Sequence, residues 1–168
     1  MAASCQGDQR AFEQLVLRHE TALYRFMNAR LGHRADAQDV LQEAFASAWR
    51  YRKSYRSKWR FSTWLYRIAL RHGHRQRSRQ RPSVDLDDAQ LSAPSGQDPS
   101  NQDVWDHARN HLSAAAFNTV WLHYHEQWQL SEIATCLGRP VSWVKVTLFR
   151  ARKKLAGVLN PDDYGLRP

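Results

Sequence analysis

The sequence predicts an all-α protein built as two small helical domains joined by a flexible linker. Three observations predict it. Apolar residues recur at three- and four-residue steps along most of the chain, as in helices that bury one stripe. Over residues 82–101 that periodicity stops and Ser, Pro, Gly, Gln and Asp take over, a composition that cannot bury a core. Beyond the break, residues 130–155 read as two short helices at a tight turn. The domains are therefore placed at 8–81 and 103–157, with 82–102 as the linker, a soluble tether. A chain of 168 residues is long enough for two such domains.

Charge narrows the partner. The formal net charge is +9 and the isoelectric point about 10.1, which favours a polyanion. The charge is also segregated. No Asp or Glu falls between Ala44 and Val84, a stretch crowded with Arg and Lys, whereas Asp85, Asp87, Asp88, Asp98, Asp103 and Asp106 follow it. No apolar run is long enough to span a bilayer and no signal peptide opens the chain, so a cytoplasmic protein without membrane insertion is expected. Two cysteines, Cys5 and Cys136, do not make a disulfide framework.

Residues 8–31 read as helix from Phe12, Leu15, Val16, Leu23, Tyr24, Met27 and Leu31, closed by Gly32, with a candidate break at residues 19–21. His19 fits a packed side chain better than a ligand. Asp36 is expected to cap the next helix, in which Val40, Leu41, Ala44, Phe45, Ala48 and Trp49 face inward. Asp39 and Glu43, one turn apart and beside Gln42, form an acidic patch on a basic protein. Dipole compensation accounts for Asp36 but not for Glu43, which sits too deep in the helix; a docking surface for a basic partner accounts for both.

Residues 57–61 read as a loop, and Ser62 or Thr63 as the cap of a helix packed through Trp64, Leu65, Ile68 and Ala69. Arg67, Arg71 and Arg75 stand at i, i+4 and i+8, a cationic stripe that Arg79 continues. Around them Tyr51, Tyr55, Trp59, Phe61, Trp64 and Tyr66 alternate with cations that include Arg56, Lys58 and Arg60. Cations that track phosphates and rings that stack on unpaired bases suit single-stranded nucleic acid. Phe61 and Trp64 are expected in the core, and one or two loop rings outside it. Gly73 weakens the helix and predicts fraying beyond it.

After the linker, Val104, Trp105, Ala108 and Leu112, then Phe117, Val120, Trp121 and Tyr124, give two amphipathic sets. Together with residues 130–155 they predict a four-helix domain. Ser131 is the expected cap of the third helix, Gly138 its left-handed end, and Pro140 bars continuation. The last helix carries Val141, Val144, Leu148, Ala151 and Leu155 on one stripe. Its other faces hold cations and no carboxylate, so it repels itself unless a polyanion is present. That is a helix-turn-helix with a cationic recognition helix. Two histidine pairs (His107 with His111, His123 with His125) lack the convergent third ligand that zinc requires, and neither metal nor cofactor is expected. The tail, 160–168, reads as irregular.

Four strings, GDQRAFEQLVLRHETALYRF, ADAQDVLQEAFASAWR, FSTWLYRIA and LSEIATCLGRPVSWVKVTLFRARKKL, resemble in content and order the extracytoplasmic-function (ECF) sigma factors of bacterial RNA polymerase. The resemblance implies a sigma-2-like domain followed by a sigma-4-like helix-turn-helix domain, and a non-enzymatic factor that directs core polymerase to promoters. It implies that Asp36, Asp39, Gln42 and Glu43 dock on the β′ coiled coil, with the β flap as a further polymerase contact. It implies that Arg56, Lys58, Trp59, Arg60, Arg67, Arg71 and Arg75 open and hold the −10 element. Ser142, Trp143, Lys145, Val146, Thr147, Phe149 and Arg150 would then read the −35 element. Most relatives are controlled by an anti-sigma factor. The sequence departs from the family pattern at Gln38, at the loop Ser57-Lys58-Trp59-Arg60, and at Arg71 and Arg75, where Asn is frequent, so a non-standard −10 preference is expected.

Two rival readings use fewer of these residues. A stand-alone helix-turn-helix regulator leaves the acidic patch and the cation–aromatic stretch idle. A nucleic-acid enzyme lacks a metal-ligand set, a nucleophile–base pair or a phosphate-cradling Gly loop.

Overall fold

The computed structural model describes the backbone of residues 1–79 and 99–157, and the side chains of residues 1, 4–76 and 104–157. Most of the expected linker, the side chain of Arg79 and the tail at 160–168 lie outside the described residues. The chain divides into two compact units, Met1–Val84 and Asp85–Pro168. All regular structure among the described residues is helical.

The first unit opens with α1 (Ala2–Cys5), a short helix that packs on α2 (Gln9–Leu31) and on the 3-10 turn Arg52–Ser54. Cys5 Sγ donates to the Arg52 carbonyl at 3.2 Å. Asp8 caps α2 by accepting from the Ala11 amide at 3.0 Å, and Gly32 ends it at φ 71°, a left-handed geometry that favours glycine. No break divides α2 at residues 19–21; His19 faces the ring of Phe61 at 5.3 Å and the helix runs on. Phe12, Leu23, Phe26, Met27 and Arg30 form its buried face.

Helix α3 (Arg34–Arg50) packs between α2 and α4 (Phe61–Arg79). Its buried face is lined by Ala37, Val40, Ala44 and Ala48, small side chains that let neighbouring backbones approach closely. Two expected caps are corrected. Helix α3 starts two residues before Asp36, with His33 at the N-cap, so Asp36 lies in the first turn and complements the dipole instead. Helix α4 starts at Phe61, which leaves Ser62 and Thr63 inside it, Thr63 being buried. Gly73 does not interrupt the helical geometry of α4. It is buried, and the helix continues through it to Arg79.

In the second unit α5 (Pro99–His111) begins within the stretch assigned to the linker, since Pro suits a first helical turn. Ser113 caps α6 (Ala114–Val120) by accepting from the Ala116 amide at 3.3 Å. A π-helical turn, Trp121–His125, follows, in which the Glu126 amide reaches back to the Trp121 carbonyl at 3.2 Å. The wider turn sends Tyr124 to solvent, against the expectation that it packs inward. Trp121 remains buried, 4.4 Å from Trp105 and 4.1 Å from His125 between ring centroids.

Helix α7 (Leu130–Leu137) is capped by Gln129, whose amide donates to Glu132 Oε2 at 2.9 Å. Ser131, the expected cap, lies inside the helix, and its carbonyl accepts from Thr135 Oγ1. Gly138 then takes φ 65°, the Arg139 amide bonds the Ala134 carbonyl at 3.0 Å, and Pro140 caps α8 (Val141–Ala156). Val144, Leu148 and Ala151 are buried where α8 meets α6 and α7. Val141 departs from the expected stripe: it sits at the first turn, beyond the reach of the core, and is exposed.

Candidate nucleic-acid interface and docking cleft

Burial of Val144, Leu148 and Ala151 fixes the rotation of α8, and the outward residues follow from it. Ser142, Lys145, Val146, Phe149 and Arg150 are exposed, and Trp143 and Thr147 are half-buried at the flanks. Phe149 is 70% exposed and Val146 47%, too open for either to serve the core. Arg139, from the turn, lies over the Trp143 ring at 5.4 Å and extends the cationic surface to the start of α8. A 16-residue helix that sets two apolar groups between a Lys and an Arg offers both kinds of contact a major groove reads. Cations meet guanine or phosphate, and apolar groups meet the thymine methyl.

The first unit presents a different surface. Its loop between α3 and α4 is held from inside by Tyr55, whose ring meets Phe61 and Trp64 edge-on at 6.2 and 5.5 Å. The Tyr55 hydroxyl donates to the Trp59 carbonyl at 2.6 Å, and burial, with Cys5 nearby, raises its pKa. Arg52 lies over the Trp49 ring at 4.1 Å and donates to the Trp49 carbonyl at 2.9 Å. With the base of the loop tied down, Tyr51 and Trp59 stand outward, 56% and 42% exposed, among exposed Arg56, Lys58 and Arg60. Lys58 Nζ sits 5.0 Å from the centre of the Trp59 ring. Phe61 is in the core as expected, but Trp64, expected there too, is only half-buried. Tyr66 is not part of this surface. It is buried and stacks on Phe26 at 5.3 Å, because its position on α4 faces α2. Arg67, Arg71 and Arg75 are all exposed along one side of α4.

On α3, Asp39, Gln42 and Glu43 are exposed, whereas Asp36 is half-buried and occupied: Gln76 Nε2 donates to it at 3.1 Å and His33 Nδ1 lies 3.5 Å away. The three exposed residues form one wall of a cleft of about 500 Å³, with His72, Arg75 and Gln76 of α4 opposite and Val40 and Ala46 also lining it. His72 Nε2 is 2.9 Å from Ser47 Oγ, which anchors the ring. Burial pushes the His72 pKa down; Glu43 opposes that shift, and Arg75 and Arg71 reinforce it. Neither His72 nor Gln76 stood out in the sequence. They are one turn apart on α4, but only the packing of α4 on α3 turns that face toward the acids.

Among the described residues no group of three His, Cys, Asp or Glu side chains converges as a metal site, and no helix is long and apolar enough to cross a membrane. His107 and His111 stack on each other at 5.5 Å.

Known proteins resemble both units. The Sigma-70 region 2 family matches residues 15–82. The ECF RNA polymerase sigma factor SigW of Bacillus subtilis is 30% identical over 168 residues, covering 89% of each chain. The ECF RNA polymerase sigma-E factor of Escherichia coli (strain K12) is 30% identical over 173 residues, covering 93% of this chain and 90% of its own. Among solved structures, CnrH in complex with the cytosolic domain of CnrY superposes with a TM-score of 0.74 at 26% identity, over 96% of this chain and 95% of that one. The sigma factor RpoE of Bartonella quintana, in complex with the anti-sigma factor NepR, has the same fold (TM-score 0.70, 22% identity, 95% of this chain and 99% of that one). With nearly a third of its residues shared along most of SigW and of sigma-E, this chain belongs to the ECF RNA polymerase sigma factors.

Proposed function

We propose that the protein binds core RNA polymerase in the cytoplasm and directs it to promoters through two separate DNA-reading surfaces. Helix α8 enters the major groove of the −35 element with Ser142, Lys145, Val146, Thr147, Phe149 and Arg150, and Trp143 supports its edge. The loop residues Arg56, Lys58, Trp59 and Arg60, with the stripe Arg67, Arg71 and Arg75, hold the opened −10 element. Asp39, Gln42 and Glu43 meet the β′ coiled coil, the second unit meets the β flap, and an anti-sigma factor holds the protein inactive. Asp36 supports that contact from within the fold.

The observation that carries this reading is the outward placement of Trp59 and Tyr51 amid cations, on a unit distinct from the one bearing α8. A duplex reader has no use for exposed rings on a basic loop, whereas unpaired bases stack on them for roughly 1–3 kcal/mol each. That gain, with the energy of polymerase binding, offsets the few kcal/mol needed to unstack each base. No side chain performs catalysis in this scheme. Arg71, standing where relatives often have Asn, favours guanine or phosphate and shifts the −10 preference. The test is run-off transcription with purified core polymerase. Promoter-directed transcripts that depend on the added protein support the reading; binding to duplex without any gain in initiation supports a stand-alone regulator.

A further inference from the structure

Arg75 continues the cationic stripe of Arg67 and Arg71, yet it also lines the cleft whose opposite wall is Asp39, Gln42 and Glu43. A phosphate brought to Arg75 from the cleft side would face two carboxylates, which oppose it in a space only about 500 Å³ in volume. Among the described residues, none of Asp39, Glu43 and Arg75 is engaged in an ion pair, so all three charges are available to an outside group. His72 senses both signs, since Glu43 raises its pKa while Arg75 lowers it. The cleft is thus two-signed, with acids on the α3 wall and a cation on the α4 wall.

We infer that Arg75, besides its place on the −10 stripe, is a docking residue: the cleft receives a segment of core polymerase that presents a basic side chain to Asp39 and Glu43 and a carboxylate to Arg75. This rests on the reading of α3 as the polymerase-docking helix, and it extends that contact to α4. Opposed charges in register across the cleft fix the orientation of the incoming segment. An all-acidic surface would accept any cation in either orientation.

The experiment measures the affinity of full-length protein for core polymerase, without DNA, for Arg75→Ala, Arg75→Glu, Arg75→Lys, Asp39→Asn, Glu43→Gln and the distant surface control Arg18→Ala. Arg75→Ala is expected to weaken binding about three- to ten-fold, Arg75→Glu more, and Arg75→Lys least, with Arg18→Ala at wild-type affinity. Wild-type affinity in Arg75→Ala and Arg75→Glu, alongside weakened Asp39→Asn and Glu43→Gln, overturns the inference and leaves the α3 docking reading standing. Wild-type affinity in all the cleft variants overturns the docking reading itself. Equal weakening by Arg18→Ala and Arg75→Ala also overturns the inference, because net charge alone then explains the loss.

Discussion

Gly73 lies against the buried guanidinium of Arg30: a Cβ built at residue 73 would stand 2.9 Å from Arg30 Nη1 and 3.7 Å from Met27 Sδ. The absence of a side chain in the middle of α4 is thus what lets α2 and α4 close on each other. Helix propensity alone predicts that Gly73→Ala stabilises by about 1 kcal/mol. Overpacking against a side chain that is only 7% exposed opposes this by about 1–3 kcal/mol. The expected outcome is a net loss of stability, read as a lower denaturation midpoint. A raised midpoint would show that Arg30 swings aside.

Phe149 serves no core, so Phe149→Ala is expected to leave stability within about 0.5 kcal/mol of wild type. Loss of an apolar contact to a thymine methyl is expected to reduce discrimination among −35 sequences by about 1 kcal/mol. Competition binding of the polymerase complex to promoters altered at single −35 positions checks this. A uniform loss across all sequences would instead place Phe149 against the backbone.

Trp59 and Tyr55 separate presentation from stacking. Trp59→Ala is expected to reduce template opening by about 1–3 kcal/mol in apparent free energy while leaving core binding intact. Tyr55→Phe removes the 2.6 Å hydrogen bond to the Trp59 carbonyl and costs about 1 kcal/mol of stability, with a smaller opening defect. Fluorescence of 2-aminopurine placed in the −10 strand reports both. Equal opening defects would mean that the loop acts through its shape and the ring contributes nothing of its own.

His72 gives a pH dependence. Its folded-state pKa is lowered from the usual histidine value near 6.5, first by burial and then by Arg75 and Arg71 against Glu43, so the unfolded chain takes up the proton at higher pH than the folded one. Its penalty is absent above the unfolded pKa and grows as pH falls through about 6.5 toward the lowered folded value. Denaturation midpoints measured from pH 7.5 to 5 are expected to fall less steeply in His72→Gln, whose amide can still meet Ser47. Parallel slopes for variant and wild type would remove His72 from the account.

The turn between α7 and α8 was legible because Gly138 and Pro140 constrain the backbone locally and tolerate few alternatives. The Gly32 terminus of α2 was legible for the same reason, whereas Asp8, read as the first residue of the helix, proves to be its cap. The misread starts at Asp36, Ser62 or Thr63, and Ser131 share a cause: several nearby residues can cap, and where the chain bends is decided by packing. Tyr66 matched the cation–aromatic pattern by position, yet only its neighbour Phe26, forty residues earlier on another helix, makes it a core ring. The π-helical turn at Trp121 left no periodic signature, since one extra residue in a turn looks like ordinary amphipathic drift. On α8 and in the loop the cations Lys145, Arg150, Arg56, Lys58 and Arg60 stand outward, as their charge requires, whereas Trp143 and Thr147 are half-buried. The cleft was not legible, because it exists only where α3 and α4 meet.

The central claim is that one unit holds parted strands while the other reads duplex, and permanganate probing of −10 thymines tests it most directly. With core polymerase, this protein and a cognate promoter, the account predicts −10 reactivity that Lys145→Ala with Arg150→Ala abolishes by loss of −35 binding. It also predicts that Trp59→Ala reduces the reactivity while −35 protection persists. A polymerase complex that protects the −35 duplex but leaves the −10 thymines unreactive on every promoter it binds would contradict the account.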